Sequence, residues 1–326
     1  MQQLPTARPY QGGVLMAEVV RSGFVESFHH GSVAVVDADG ALVAGAGDPL
    51  GAVFPRSSSK LMQAAGMLRA GFQPASTAEL ALAAASHHGE PQHTELVTAM
   101  LARAGLTPDA LGCPAELPID PETQRQVSPA PIYMNCSGKH AGMLLTCLAA
   151  GWPLAGYLAD DHPLQQALRQ EVERLTGETV AATGVDGCGA PVWAISLAGL
   201  ARAYARAVAA PDPAPERRVA DAMRSHPELI SGTGADDARL IRAVPGLLSK
   251  AAAEGVAVVA VPGFGAVAMK VDDGAGRARP PVLVEALAQL GVRSQELSAA
   301  GEVRLLGGGR PVGAVRALSV IRPITG

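Results

Sequence analysis

Short apolar runs bounded by turn residues lie near both ends of this chain, and apolar positions at helical spacing lie between them. Residues 32–36 and 41–44 are apolar runs joined by Asp37-Ala38-Asp39-Gly40, and the Asp-Gly pair predicts a hairpin turn. A second hairpin is predicted from 256–261 and 265–271 around Pro262-Gly263-Phe264, and a last strand over 312–320 after Gly307-Gly308-Gly309-Arg310-Pro311. Helical spacing covers 57–68, 76–85, 92–104, 138–150, 163–175, 194–209 and 215–223, with Ser76 and Glu79 spaced as a capping box. Strands at both ends with helices between predict an α+β fold. The N- and C-terminal strands share one antiparallel sheet, and residues 57–225 form a largely helical insertion. Pro211-Asp212-Pro213-Ala214-Pro215 reads as a surface excursion, because the final strands must return to the first sheet, so residues 1–326 are expected to form a single unit.

Composition narrows the picture. Hydrophobic residues make up 48% of the 326 positions but aromatics only 3%, so the core must be packed from Ala, Leu and Val. A net charge of -4 leaves no basic footprint for nucleic acid. The opening Met1-Gln2-Gln3-Leu4-Pro5 lacks the charged and apolar regions of a leader, and no apolar run reaches membrane-spanning length, so a cytoplasmic protein is expected.

Candidate chemistry gathers in a few places. Ser57-x-x-Lys60 opens a predicted helix, where residues three apart share a face. A neutral amine there can take the proton of an attacking serine, and the helix start offers N–H groups to an oxyanion. The plain alternative is a serine cap beside a solvated lysine. Against it, no acidic residue lies within four positions of Lys60. Ser86 opens the polar cluster Ser86-His87-His88-Gly89-Glu90-Pro91, which is equally readable as a solvated helix end. Cys136 and His140, four apart, with Cys188 supply two thiols and an imidazole, and spacing alone selects these three for zinc. Cys113 and Cys147 read as buried hydrophobes, and a Cys136–Cys188 disulfide is the alternative that four cysteines in a chain without a secretory segment argue against. Lys270 sits on an apolar strand, where a lysine faces either solvent, its commoner fate, or a site.

In order, Arg56-Ser57-x-x-Lys60, Ala85-Ser86-His87, Asn135-Cys136-Ser137-Gly138-Lys139-His140, Asp186-Gly187-Cys188, His226-Pro227-Glu228 and Lys270-x-Asp272-Asp273-Gly274 resemble the asparaginases of the Rhizobium etli type. The resemblance runs from about Val25 to Arg316, and the six-residue block at 135–140 is its most specific element. It implies a fold like that of serine β-lactamases and glutaminases, hydrolysis of L-asparagine with glutamine a poorer substrate, and a homodimer. It makes Ser57 the nucleophile, Lys60 its base, and Ser86 with Lys270 a second Ser-Lys tandem. For zinc it selects Cys136, Lys139 and Cys188 and leaves His140 nearby, either supporting the ligands or facing the substrate, with Asn135 as a further substrate contact. Zwitterionic asparagine needs a cation for its α-carboxylate and acceptors for its α-ammonium, and Arg56 and Asp186 are the candidates, although Arg56 can equally fix the helix start. Two rivals remain. A serine β-lactamase or peptidase shares Ser-x-x-Lys but usually adds Ser-x-Asn and Lys-Thr-Gly, where this chain has Lys270-Val271-Asp272. A non-catalytic zinc-binding protein would leave both Ser-Lys pairs structural.

Overall fold

The computed structural model describes residues 4–324; Met1, Gln2 and Gln3, part of the segment read above for a leader, lie outside them. It is a mixed helix and sheet structure. From edge to edge the main sheet runs Val303–Gly307, Arg310–Ala317, Val14–Arg21, Phe24–Val36, Gly265–Val271, Val256–Val261 and Leu248–Ala251. Every pairing in it is antiparallel. The expected sharing of one sheet by both chain ends is therefore present. Both predicted hairpins form: Phe24–Val36 pairs with Leu42–Ala46, and Val256–Val261 with Gly265–Val271.

All six residues of Val256–Val261 are buried, which requires cover on both faces of the sheet. The helices Leu197–Ala209 and Arg279–Gln289, both packed against this strand and its neighbour, supply it. The helices Lys60–Arg69, Thr77–Ala83, Pro91–Arg103, Ser137–Ala150, Pro163–Thr176 and Pro215–Ser225 fall close to the predicted positions between the strands, whereas Pro121–Gln124, Asp236–Ala243, Arg279–Gln289 and Gln295–Ala300 are helices that the sequence reading did not predict. Among the described residues no helix is long and apolar enough to cross a membrane.

Three boundaries differ from expectation. Residues 56–59 form a 3-10 turn, and the α-helix starts at Lys60. The helix expected over 194–209 starts at Leu197, because Pro191–Ser196 is a buried strand of a second, smaller sheet. Ser196 separates the two: its hydroxyl accepts from Gly199 N at 2.8 Å, capping the helix, and donates to the buried Glu178 Oε1 at 2.5 Å. Alanine and isoleucine fit either element, so composition did not reveal the break. Finally, the strand Leu248–Ala251 has only four residues and no periodicity to read, yet it forms the sheet edge nearest the turn at Arg56–Ser59.

One glycine fixes how the two halves of the helical region meet. A Cβ on Gly138 would approach Leu82 Cγ and Leu82 O at 2.6 Å, so only glycine lets Ser137–Ala150 pack this closely on Thr77–Ala83. That approach brings the start of one helix, with Cys136, beside the residues that follow the other, Ala85 and Ser86.

Candidate active site

The Lys60 side chain is 1% exposed and no carboxylate bonds to it among the described residues. Its amine instead reaches Ala85 O at 2.5 Å, Ser86 Oγ at 2.9 Å and Cys136 Sγ at 2.8 Å. An ammonium has three protons, and here it finds three acceptors. The expected direct Ser57–Lys60 hydrogen bond is not formed among the described residues; because Ser57 lies in the 3-10 turn before the helix, the lysine points to Ser86.

Ser57 opens onto a cavity of about 470 Å³, lined also by Ser86, His88, Asn135, Ser231, Asp237 and Lys250. The turn that carries Ser57 is anchored along the edge strand: Ser58 Oγ donates to Lys250 O at 3.1 Å, and Tyr204 Oη to Ser58 O at 3.0 Å. The first residue of that turn, Arg56, adopts a left-handed φ of 50°, a conformation that costs energy for a side chain of this size. Arg56 Nε holds Asp186 Oδ1 at 2.7 Å. The two residues expected to bind the two charges of the substrate are thus bonded to each other, and Arg56 fixes the turn. Asn135 lines the cavity, accepts from His87 N through its carbonyl, and takes the Cys136 thiol proton on Oδ1 at 3.0 Å.

Lys270 is not brought to Ser86. In register it faces Ser32 on one neighbouring strand and Val256 on the other, and its amine donates to Glu254 O at 2.9 Å and Val271 O at 3.3 Å. It braces the turn after Ala251, Ala252 and Ala253, which line the cavity. The lysine on the cavity wall is Lys250, which sequence reasoning missed. Its amine donates to Ala251 O at 2.8 Å and lies 3.6 Å from Asp237 Oδ2, with both side chains buried. Burial pushes its pKa down to about 8, opposed by Asp237 and assisted by the nearby charges of Lys60 and Arg279. Asp237 is itself held by Ser249 Oγ at 2.7 Å and Ala251 N at 2.8 Å.

Behind Lys60 lies the sulfur cluster. All four cysteines are free thiols. Lys139 Nζ bonds Cys188 Sγ at 3.3 Å. The neighbouring Cys136 thiol and the Lys139 charge hold the Cys188 thiol far below the ordinary range, while the pairing with Cys188 and burial push Cys136 up. Burial opposes a charge on Lys139, but the Cys188 and Cys136 sulfurs raise its pKa. His140 is buried with Nδ1 on Tyr157 Oη at 2.7 Å, and its Nε2 lies beside Cys188 with no hydrogen bond. Among the described residues no group of three or more His, Cys, Asp or Glu is arranged to hold a metal ion, which counts against the Cys136, His140, Cys188 triple chosen by spacing. The set with Lys139 lies outside that residue class, and two thiols, an amine and an unpartnered imidazole nitrogen are donors of the kind zinc takes.

The sequence profile of the family described as L-asparaginase II matches residues 17–317. No curated protein matches the chain. The solved structure titled "Crystal Structure Analysis of Mglu in its native form" aligns at 15% identity with a TM-score of 0.32, a likeness too slight to assign a fold. The alignment covers 74% of this chain and 58% of that one, so the chain spans less than two thirds of that protein's length.

The buried amine gives a direct check. Lys250 should titrate near 8, well below the ~10.4 of a free lysine. Asp237→Asn removes the group that favours its charge and should lower the midpoint further. NMR titration of isotopically methylated lysines reads both values; a Lys250 midpoint in the ordinary range, or a rise in the variant, contradicts this electrostatic account.

Proposed function

We propose that this chain, which belongs to the L-asparaginase II family, hydrolyses the side-chain amide of L-asparagine to L-aspartate and ammonia through an acyl-enzyme on Ser57, with glutamine a poorer substrate. The observation that carries this reading is one cavity that presents two serines, Ser57 and Ser86, together with the buried amine of Lys250, while Lys60 bonds Ser86 from beneath. A nucleophile with an amine kept near neutral, beside a hydroxyl bonded to an ammonium, is a pairing of base and acid.

In this mechanism Ser57 Oγ attacks the amide carbon and its proton passes to Lys250. Lys60 then gives a proton through Ser86 to the amide nitrogen, and ammonia leaves as the tetrahedral intermediate collapses. Water attacks the resulting ester while Lys60 recovers its proton through Ser86. Lys250 returns its proton to Ser57 as aspartate departs. Each lysine ends in the state in which it began. Ser86 as the nucleophile is a second reading, favoured by its 2.9 Å bond to Lys60 Nζ.

Zinc is proposed at Cys136, Lys139 and Cys188, with His140 beside it. When bound it would supply a positive charge that fixes the thiolates behind Lys60, and the lysine ligand must then be neutral. The wider arrangement we infer is one β-lactamase-like and glutaminase-like catalytic unit over the whole chain, working as a cytoplasmic homodimer. The sharing of one sheet by both chain ends supports the unit, and the family resemblance alone supports the dimer.

Ser57→Ala should lower ammonia release from asparagine by several orders of magnitude in a protein with unchanged circular dichroism. Turnover at the wild-type level in that variant would overturn the assignment. For the metal, protein purified without chelator should contain zinc near one per chain. His140→Ala should retain it and Lys139→Ala should lose it, as read by elemental analysis; the reverse pattern would return the third ligand to His140.

A further inference from the structure

The cavity contains one buried hydroxyl that the mechanism does not use. Ser231 is 6% exposed, lines the cavity with Ser57, Asn135 and Lys250, and its Oγ has no hydrogen-bond partner among the described residues. It is not free to turn away by backbone motion. Ile230 O accepts from Ser86 N at 2.9 Å and Ser231 O from His88 N at 2.7 Å, so residues 230 and 231 run alongside the catalytic segment. Gly232 closes the fit, because a Cβ there would meet His88 Nδ1 at 2.3 Å. Beyond it Thr233 is tied by N and Oγ1 to the two oxygens of Glu90, at 2.7 and 2.8 Å.

Several other polar groups on this wall are already bonded within the protein. Asp237 accepts from Ser249 and Ala251, Lys250 donates to Ala251 O, and Asp236 pairs with Arg239 at 2.5 Å. Arg279 donates to Ala252 O at 2.7 Å and Gly276 O at 3.2 Å. A buried hydroxyl left unpaired destabilises a fold, and such groups are retained where a ligand completes them. We propose that Ser231 Oγ is a specificity-determining group that hydrogen-bonds the charged amino-acid head of the substrate, its α-ammonium or α-carboxylate. A hydroxyl carries one donor and two acceptor positions and serves either charge. The inference rests on reading the cavity as the amide-hydrolysing site.

The test compares wild type with Ser231→Ala by calorimetric titration of aspartate, steady-state ammonia release from asparagine, and thermal melting without ligand. The aspartate Kd and asparagine KM should rise roughly tenfold, since a hydrogen bond to a charged group is lost, while kcat stays within about twofold. The ligand-free variant should melt at the same temperature or higher, because an unsatisfied polar group has been removed. Propanamide, an amide without the charged head, should inhibit both proteins equally. Unchanged affinity for aspartate, a lowered melting temperature, or equal weakening toward propanamide each overturns the role of Ser231 and leaves the site reading intact. A wild-type protein that neither binds aspartate nor releases ammonia from asparagine overturns both.

Discussion

A buried lysine that bonds no carboxylate among the described residues holds this site together. Removing an ammonium from water costs several kcal/mol unless its protons are bonded, and Lys60 offsets that cost with a carbonyl, a hydroxyl and a sulfur drawn from two other segments. Those segments, at Ala85-Ser86 and at Cys136, follow and precede helices that only Gly138 allows to pack so closely. The lysine therefore dictates local structure as much as it serves chemistry. A variant that removes its amine leaves the Ala85 carbonyl without its lysine donor and the Cys136 sulfur without its cation in the same buried space, so loss of activity there would report on both structure and chemistry.

From Lys60 inward, charge and sulfur alternate: Lys60 to Cys136, Cys136 to Cys188, Cys188 to Lys139. Each contact favours the ionised form of one partner, which is why the Cys188 thiol is held so far down and Lys139 is pushed up despite burial. From Lys60 outward the cavity reverses the balance. Lys250 has a carboxylate at 3.6 Å, yet burial and the charges of Lys60 and Arg279 lower its pKa to about 8. Lys250 thus sits on the cavity wall with a depressed pKa although a carboxylate lies beside it, because burial outweighs that carboxylate.

Much of this was legible in the sequence. Apolar runs around Asp37-Ala38-Asp39-Gly40 and around Pro262-Gly263-Phe264 pointed to both hairpins, and the block at 135–140 pointed to Cys136 and Lys139, which Cys188 meets. The second lysine was not legible. Lys270 stands in a seven-residue strand that is a continuous apolar run but for the lysine, whereas Lys250 stands in a four-residue edge strand that only the register against Val256–Val261 defines. Local pattern favours the longer strand, and the site uses the edge. Likewise Arg56 and Asp186 have the charges that a zwitterion needs, but nothing local reveals that they neutralise each other. Ser231 carried no signal at all: a lone serine becomes notable only when its hydroxyl is found buried and unpaired beside a cavity.

The central claim is that the attacking oxygen belongs to Ser57, with Ser86 relaying protons between Lys60 and the substrate. Acid-quenching the protein within its first turnover of L-asparagine, followed by proteolysis and mass spectrometry of the peptides that carry residues 57 and 86, tests it most directly. The account predicts a β-aspartyl ester on Ser57 and an unmodified Ser86. An ester on Ser86, or turnover with no ester on either serine, would contradict it.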